Sequence, residues 1–447
     1  MADPIGGPVD LARSLADPAT YDAVILKIFE KRRQRGQAFA EVDDAGITYF
    51  DTVTGRRSLS RALARTVAEG RYQAQPVELW FLESKGKTRA AHSPAFADHV
   101  VGATLYQLLS HNARCYGLPG VYSYLPGMTN TAAMRALGAY VREHRRGAGR
   151  HRPVYVLQSD FEHYGDGMPV GPDAPLWPIV REVAALGSPN GHLPEWVWTL
   201  INDLVRPVVR DDEGAEFNRV YGVPMGTPLV PLLSNLAVVP MDRAVLDVDG
   251  VFYARYNDDF LIAHTDLATL QRIDARIDEV LGGLGVKRKR SKESRTALSA
   301  TGISSTDDPA YRGGNRIDCL GLSVNHTGEI TLGPHRLRRI MHRFTTRIDG
   351  AARTVTGLAV DDKARHLVAV ANVMLDVASP FAVPGLSALL DTTTDRGALK
   401  DMDARIARKI VQSATGRPGV RGFRLLAPRV LYVEMGLTSL VRLRNLR

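Results

Sequence analysis

The chain has 447 residues, of which 45% are hydrophobic, and a formal net charge of +9. It is long enough for two or three subdomains with sizeable cores, and its charge favours a polyanionic partner, nucleic acid first and an anionic membrane second. Two cysteines, Cys115 and Cys319, stand far apart with no CxxC, which argues against a disulfide scaffold or a zinc site and fits a reducing cytoplasm.

The first stretch, MADPIGGPVDLARSLADP, carries acids and prolines without an apolar core and does not read as a signal peptide. No apolar run approaches the roughly 18 residues a membrane helix needs. Residues 1–75 read as a helical extension, with an amphipathic helix over Tyr21–Arg35 that ends in a basic cluster. From Pro76 the pattern turns to strands: VELWFLES, then the turn KGKTR. A helix is expected from about Ala95 to Leu109, a loop over YSYLPGM, and a helix with a basic tail over Thr129–Arg145. PVYVLQSD is a buried strand ending at Asp160, and EWVWTLINDLVRPVV is a helix. GVPMGTPLVPLLSNLAVVPMDRAVL is a Gly/Pro-rich loop entering a further helix. FYARYNDDFLIAH is predicted as a hairpin, Leu267–Leu281 as a helix, GVKRKRSKES as a basic loop, and IDCLGLSVNHTGEITL as a second hairpin turned by HTG. From about Pro334 the chain is helical and very basic.

The adjacent Asp258 and Asp259 are the sharpest local signal. Two neighbouring carboxylates repel, and each resists burial. Asn257 and Asp258 tolerate the positive φ of a tight turn, so the flanking apolar strands would present the pair at a hairpin tip. A divalent cation would relieve the repulsion, and Asp160, at the end of an apolar strand, supplies a third carboxylate. A polymerase palm holds two Mg²⁺ ions by such a set.

The pair does not stand alone. YNDD fits the Y-x-D-D motif of reverse transcriptases, and the chain resembles that family along much of its length, in particular its bacterial members related to group II intron and defence-associated enzymes. KGKTR followed by SPAFADHVV resembles the fingers segment, YSYLPGMTNT the Y-x-F-x-P-G-x-S segment, and GVPMGTPLVPLLSNL the loop and helix that support template and nucleotide. GVKRKRSKE resembles the lysine-bearing segment near the triphosphate, and DCLGLSVNHTGEI the primer-grip hairpin. With the Asp160 strand these segments occur in the family's order from about residue 80 to 330.

The resemblance implies an α+β right-hand polymerase, with fingers over residues 76–155, an antiparallel-sheet palm over 156–333 and a helical thumb with a basic C-terminal segment over 334–447. It implies two Mg²⁺ ions, with Mn²⁺ as a substitute, on Asp160, Asp258, Asp259 and the Phe161 carbonyl. Lys87 and Arg89 would neutralise phosphates, and Lys292 would stabilise or protonate the leaving pyrophosphate. Met225 and Gly226 would line the nucleotide. Arg338, Arg339 and Arg343, recurring along a thumb-like helix, would meet phosphate backbones. The implied partners are an RNA template, a DNA or RNA primer and dNTPs, with an associated non-coding RNA as a further candidate.

Four positions depart from the family pattern. Met225 stands for the usual Gln, Val230 for a Ser, Cys319 for the primer-grip Phe, and Gly165 for an aromatic gate beneath the sugar. Tyr164, one residue earlier, is the candidate to take over as gate. VTGL at Val355–Leu358 matches a retron signature in letters but in the wrong place. The last 50 or so residues are similar to the segment after the thumb in non-LTR retrotransposon enzymes. No nuclease-type motif follows the palm, which favours a stand-alone antiphage role in the cytoplasm. The rivals are a mobile-element enzyme acting with a separate nuclease, and a silent RNA-binding scaffold.

Overall fold

The computed structural model describes residues 6–39, 46–84, 86–145, 152–303, 306 and 308–446. The side chain of Lys87 and all of Lys85 lie outside the described residues. The chain divides into two compact units, one of residues 1–129 with 157–294, the other of 130–156 with 295–447.

In the first unit, the first four helices are Leu11–Leu15, Pro18–Gln34, Tyr49–Thr54 and Arg56–Ala68. Their starts follow local chemistry: Asp10, Asp17 and Thr48 accept backbone N–H groups at three of the N-termini. The long helix Phe96–Tyr116 buries Val100, Val101, Leu105 and Leu109, and Asn112 on it bonds the backbone of Val9 in both directions. The antiparallel ribbon Val77–Ser84/Lys87–Ser93 belongs to a four-stranded sheet completed by the short strands Val209–Arg210 and Glu216–Phe217. The predicted helix over EWVWTLINDLVRPVV stops at Val205, because Pro207 cannot continue it and the chain turns into that sheet. A helix over Leu176–Ala185, missing from the sequence reading, buries Trp177, Ile179, Val180 and Val183.

The hairpin forms as expected, Phe252–Tyr256 against Asp259–His264, with Tyr256 opposite Asp259 and a two-residue turn at Asn257–Asp258. Asn257 adopts φ 61°, the left-handed conformation its short amide side chain permits. The sheet order places Asp259–His264 between Phe252–Tyr256 and the strand Val154–Asp160. The helix Val239–Leu246 precedes the hairpin in sequence and Leu267–Gly283 follows it.

The second unit contains the helix Asn130–His144 and a three-stranded antiparallel sheet, Arg316–Cys319, Leu322–Asn325 and Ile330–Leu332. The single hairpin expected here is thus a meander. Its extra turn falls at Leu320–Gly321, both at positive φ, and a leucine there gives no turn signal in sequence. Helices Pro334–Thr354, Val360–Leu375, Leu386–Thr392 and Arg396–Thr415 follow, with shorter ones to Asn445. The α+β class with antiparallel strands is the one the sequence implied. Among the described residues, no helix is long and apolar enough to cross a membrane.

Candidate active site

Asp160 ends its strand almost fully buried, at 5% exposure, whereas Asp258 is half-buried in the turn and Asp259 is open to solvent. The Phe161 N–H donates to the Asp258 carbonyl at 3.2 Å, which ties the turn to the end of the Asp160 strand. Residues 287–289 run alongside: Glu162 N–H donates to the Lys287 carbonyl, and Lys289 N–H to that of Asp160, both at 2.7 Å. This register carries Lys292 round to Asp160, and its ammonium hydrogen-bonds the Asp160 carboxylate.

The three carboxylates share one electrostatic neighbourhood. Asp259 is pushed up to about 6, first by loss of hydration, then by Asp258 and Asp160, with Lys292 opposing. Its surface is accessible, but neighbouring protein atoms displace part of the water around the carboxylate. The hydrogen bond to Asp160 holds the Lys292 ammonium above its ordinary range. Three acids with one fixed cation leave an uncompensated anionic cluster of hard oxygen donors, the chemistry that suits Mg²⁺ or Mn²⁺. Among the described residues no three acidic, imidazole or thiol groups form a ready metal cage. Lys292 occupies Asp160, so a cation binding there would have to share or displace it.

Beneath the turn lies a buried ionic lattice that the sequence reading missed. Arg255, fully buried, makes a bidentate pair with Asp242 at 2.6 and 2.8 Å. Burial opposes its charge, but Asp242 more than offsets this and holds the guanidinium protonated. Arg255 also donates to the Asn235 side chain and carbonyl and, at 3.3 Å, to the Asn257 carbonyl inside the turn. Tyr253 donates to Asp242, and Ser123 links Asn235 to the Asn257 N–H, which it accepts at 2.8 Å. A signal existed: Arg255 in FYARY is a lone charge in an apolar run, and such a charge, once buried, must be paired. Arg288, expected in a basic loop, is likewise buried, paired with Asp274 at 2.6 Å and Asp278 at 2.8 Å.

The gate expectation is corrected. Tyr164 is core, 6% exposed, its ring 4.7 Å from that of Phe161 and its hydroxyl donating to the Ser234 carbonyl. Burial pushes that hydroxyl's pKa up. Phe161 is itself buried and also packs on Phe260, 5.4 Å away. Met225 instead comes beside Gly165: a Cβ at 165 would lie 2.9 Å from the Met225 sulfur. Two of the departures from the family pattern are therefore one steric arrangement.

Met225 and Gly226 lie on the ribbon. The His92 N–H donates to the Met225 carbonyl at 2.6 Å, and Gly226, at φ 113°, approaches so closely that a Cβ would meet the His92 carbonyl at 2.4 Å. Arg219 donates to the other side of the His92 ring at 2.9 Å, and burial followed by that cation lowers the His92 pKa, favouring neutral imidazole. His92 and Arg219 escaped the sequence reading because nothing local marks them. Arg89 is exposed on the ribbon opposite Leu82, and Lys87 begins the same strand.

In the other unit, Arg338, Arg339 and Arg343 are all exposed on Pro334–Thr354, whose buried face is Ile340, Phe344 and Ile348. Arg343 already donates to the Pro384 carbonyl at 3.3 Å.

Residues 175–323 match the family model described as reverse transcriptase (RNA-dependent DNA polymerase). That segment, which includes Asp258, Asp259 and Lys292 and begins after Asp160, is a reverse transcriptase domain, of the RNA-directed DNA polymerase class of nucleotidyltransferases. Among solved structures, the chain is similar to apo telomerase from Candida tropicalis (12% identity, 90% of this chain and 77% of that one, TM-score 0.46). It is also similar to telomerase from Candida albicans in complex with a fragment of telomeric RNA (12%, 84% and 67%, 0.44). A third is the RNA-dependent RNA polymerase of a human picobirnavirus, as an insertion-loop deletion mutant (12%, 83% and 64%, 0.44). No curated protein matches the chain in sequence.

Proposed function

We propose that the protein extends a DNA or RNA primer with dNTPs on an RNA template. The observation that carries this is the meeting of Asp160, Asp258, Asp259 and Lys292, from three separate segments, at one hairpin tip inside or next to the reverse transcriptase match. Asp160, Asp258 and Asp259, with the Phe161 carbonyl, would hold two Mg²⁺ or Mn²⁺ ions. Bound there, the ions would lower the pKa of the primer 3′-hydroxyl and neutralise the triphosphate. The chain's own cations do the rest. Arg89 would meet the phosphates, with Lys87 on the same strand as the second cation the sequence implies, and Lys292, once released from Asp160, would offer an ammonium to the departing pyrophosphate. Met225, packed on Gly165, lines the nucleotide's sugar side, and Gly226 lets that loop lie against the ribbon.

The proposed subdomains are fingers over 76–155, palm over 156–333 and thumb over 334–447. Arg338, Arg339 and Arg343 would follow the template–primer backbone. A stand-alone antiphage role in a bacterial cytoplasm, with an associated non-coding RNA, comes into the proposal from the sequence motifs alone.

The test is primer extension on an RNA template with dNTPs and Mg²⁺. Wild type should incorporate, and Asp258→Ala and Asp259→Ala should not, while both variants keep RNA affinity, since binding rests on the basic surface. Incorporation by either variant near the wild-type rate would remove the aspartates from the chemistry. A wild type that binds RNA yet incorporates nothing would make the chain a scaffold.

A further inference from the structure

The C-terminal unit contains a cleft of about 680 Å³ with no part in the site above. This volume lies in the range of small-molecule sites, roughly 300–1,000 Å³. One wall is a face of the helix Arg396–Thr415, where Lys400, Ala404, Ala407 and Arg408 recur at helical spacing. The lining also includes Phe423 and Tyr432.

The lining has a clear physical character. Lys400 and Arg408 are exposed, and neither is paired with an acid among the described residues. Eight residues apart, they stand about 12 Å apart along the helix at roughly 1.5 Å per residue. The two alanines between them leave an open apolar floor. The Tyr432 ring is fixed, because its hydroxyl donates to the Asp403 carbonyl at 3.0 Å. Asp403, the one acid on the lining, is turned to other work: it accepts from Leu440 N–H at 2.8 Å and Ser439 Oγ at 2.7 Å and so holds the start of the last helix. The cleft thus offers two aromatic residues, one of them held in place, and an apolar floor flanked by Lys400 and Arg408.

We infer that this cleft binds a nucleobase with its attached phosphate, the base against Phe423 or Tyr432 and the phosphate on Lys400 or Arg408. Aromatic rings accept any base by stacking, and cations supply the anion contact. A purely apolar ligand would leave both cations unused, and a simple anion would leave the rings unused. The base and phosphate can come from a free nucleotide or from an unpaired residue of single-stranded RNA.

The test uses the full chain carrying Asp258→Ala, in EDTA, so that nothing is held through metal at the aspartates. Any RNA held on the basic surface of Arg338, Arg339 and Arg343 is common to all variants, so the cleft is read from the difference between them and not from the polymerase reading. The probes are a fluorescent ATP analogue and a dye-labelled heptauridylate, titrated by anisotropy. Two further changes are made separately: Ala404→Trp, which fills the floor from an exposed position, and Lys400→Glu with Arg408→Glu. Thermal unfolding checks that each folds, and Phe423→Leu replaces Ala404→Trp if that variant does not.

Both changes should weaken binding by about tenfold or more, as expected for a lost stacking or charge contact. Loss of ATP binding in both variants supports the site with a free nucleotide as source. Loss confined to heptauridylate, again in both, supports it with a strand residue as source. Unchanged affinity for both probes overturns the inference. So does loss in the charge variant alone, which would mean surface electrostatics without a cleft.

Discussion

The hairpin at Asn257–Asp258 and the ribbon Val77–Ser84/Lys87–Ser93 are both two-stranded and antiparallel, yet they are held in opposite ways. The first rests on the buried Arg255–Asp242 pair, with Arg255 donating to the carbonyl of Asn257 and Ser123 accepting its N–H. The second exposes Trp80, Phe81 and Leu82 in succession and carries Arg89 at its surface. It is tied to the rest of the unit near one end, by the His92–Met225 contact and by the pairing of Val77 and Glu78 with Val209 and Arg210. The difference matches the chemistry each region would serve. Carboxylates that hold metal ions must be fixed within a fraction of an ångström, whereas cations that receive a mobile triphosphate gain from freedom to follow it.

The comparison breaks most sharply at Asp242. Asp242→Ala leaves Arg255 charged and unpaired in the core, and should cost about 3–5 kcal/mol of stability, read by urea unfolding. Incorporation should fall with it, because the Asn257 turn loses its support. Adding Arg255→Met to Asp242→Ala should restore part of the stability. If Asp242→Ala unfolds like wild type, the lattice is not what holds the turn.

Tyr164 sharpens the same side. As a core residue, Tyr164→Ala should cost about 3–5 kcal/mol, and it should lower dNTP and rNTP incorporation together. Tyr164→Phe should lose about 1 kcal/mol, the hydrogen bond to Ser234. A shift toward ribonucleotides in Tyr164→Ala, with stability unchanged, would return the ring to the nucleotide site.

Exposed cations should behave otherwise. Replacing Arg338, Arg339 and Arg343 with Ala should flatten the salt dependence of RNA binding by up to about three units of log–log slope if each meets a phosphate. Arg343→Ala alone should contribute less than Arg338→Ala, since Arg343 is already spent in part on Pro384. A slope equal to wild type in the triple variant would place the RNA elsewhere.

The smallest change is expected on the ribbon. Arg89→Ala should move stability by no more than about 0.5 kcal/mol, as surface substitutions do, while raising the KM for dNTPs. Single-nucleotide kinetics check this, and an unchanged KM would detach the ribbon from the triphosphate.

What the sequence determined by itself was local. Apolar periodicity placed the strand ending at Asp160, the helix Asn130–His144 and the helix Pro334–Thr354, and turn chemistry placed Asn257 at positive φ with the aspartates at a hairpin tip. These features were legible because neighbours within a few residues decide them. The tertiary structure alone decided the rest. Arg255 pairs with a residue 13 positions away and bonds Asn235, 20 away; Lys292 reaches Asp160 across 132 positions, and Met225 lies beside Gly165. Tyr164 reads equally well as gate or core until Ser234, 70 residues on, takes its hydroxyl. The Leu320–Gly321 turn is imposed by the pairing of its strands against the preference of a leucine. A buried charge or hydroxyl announces in sequence that it needs a partner, but only the packed chain says which one, because that choice is made by residues brought together from distant segments.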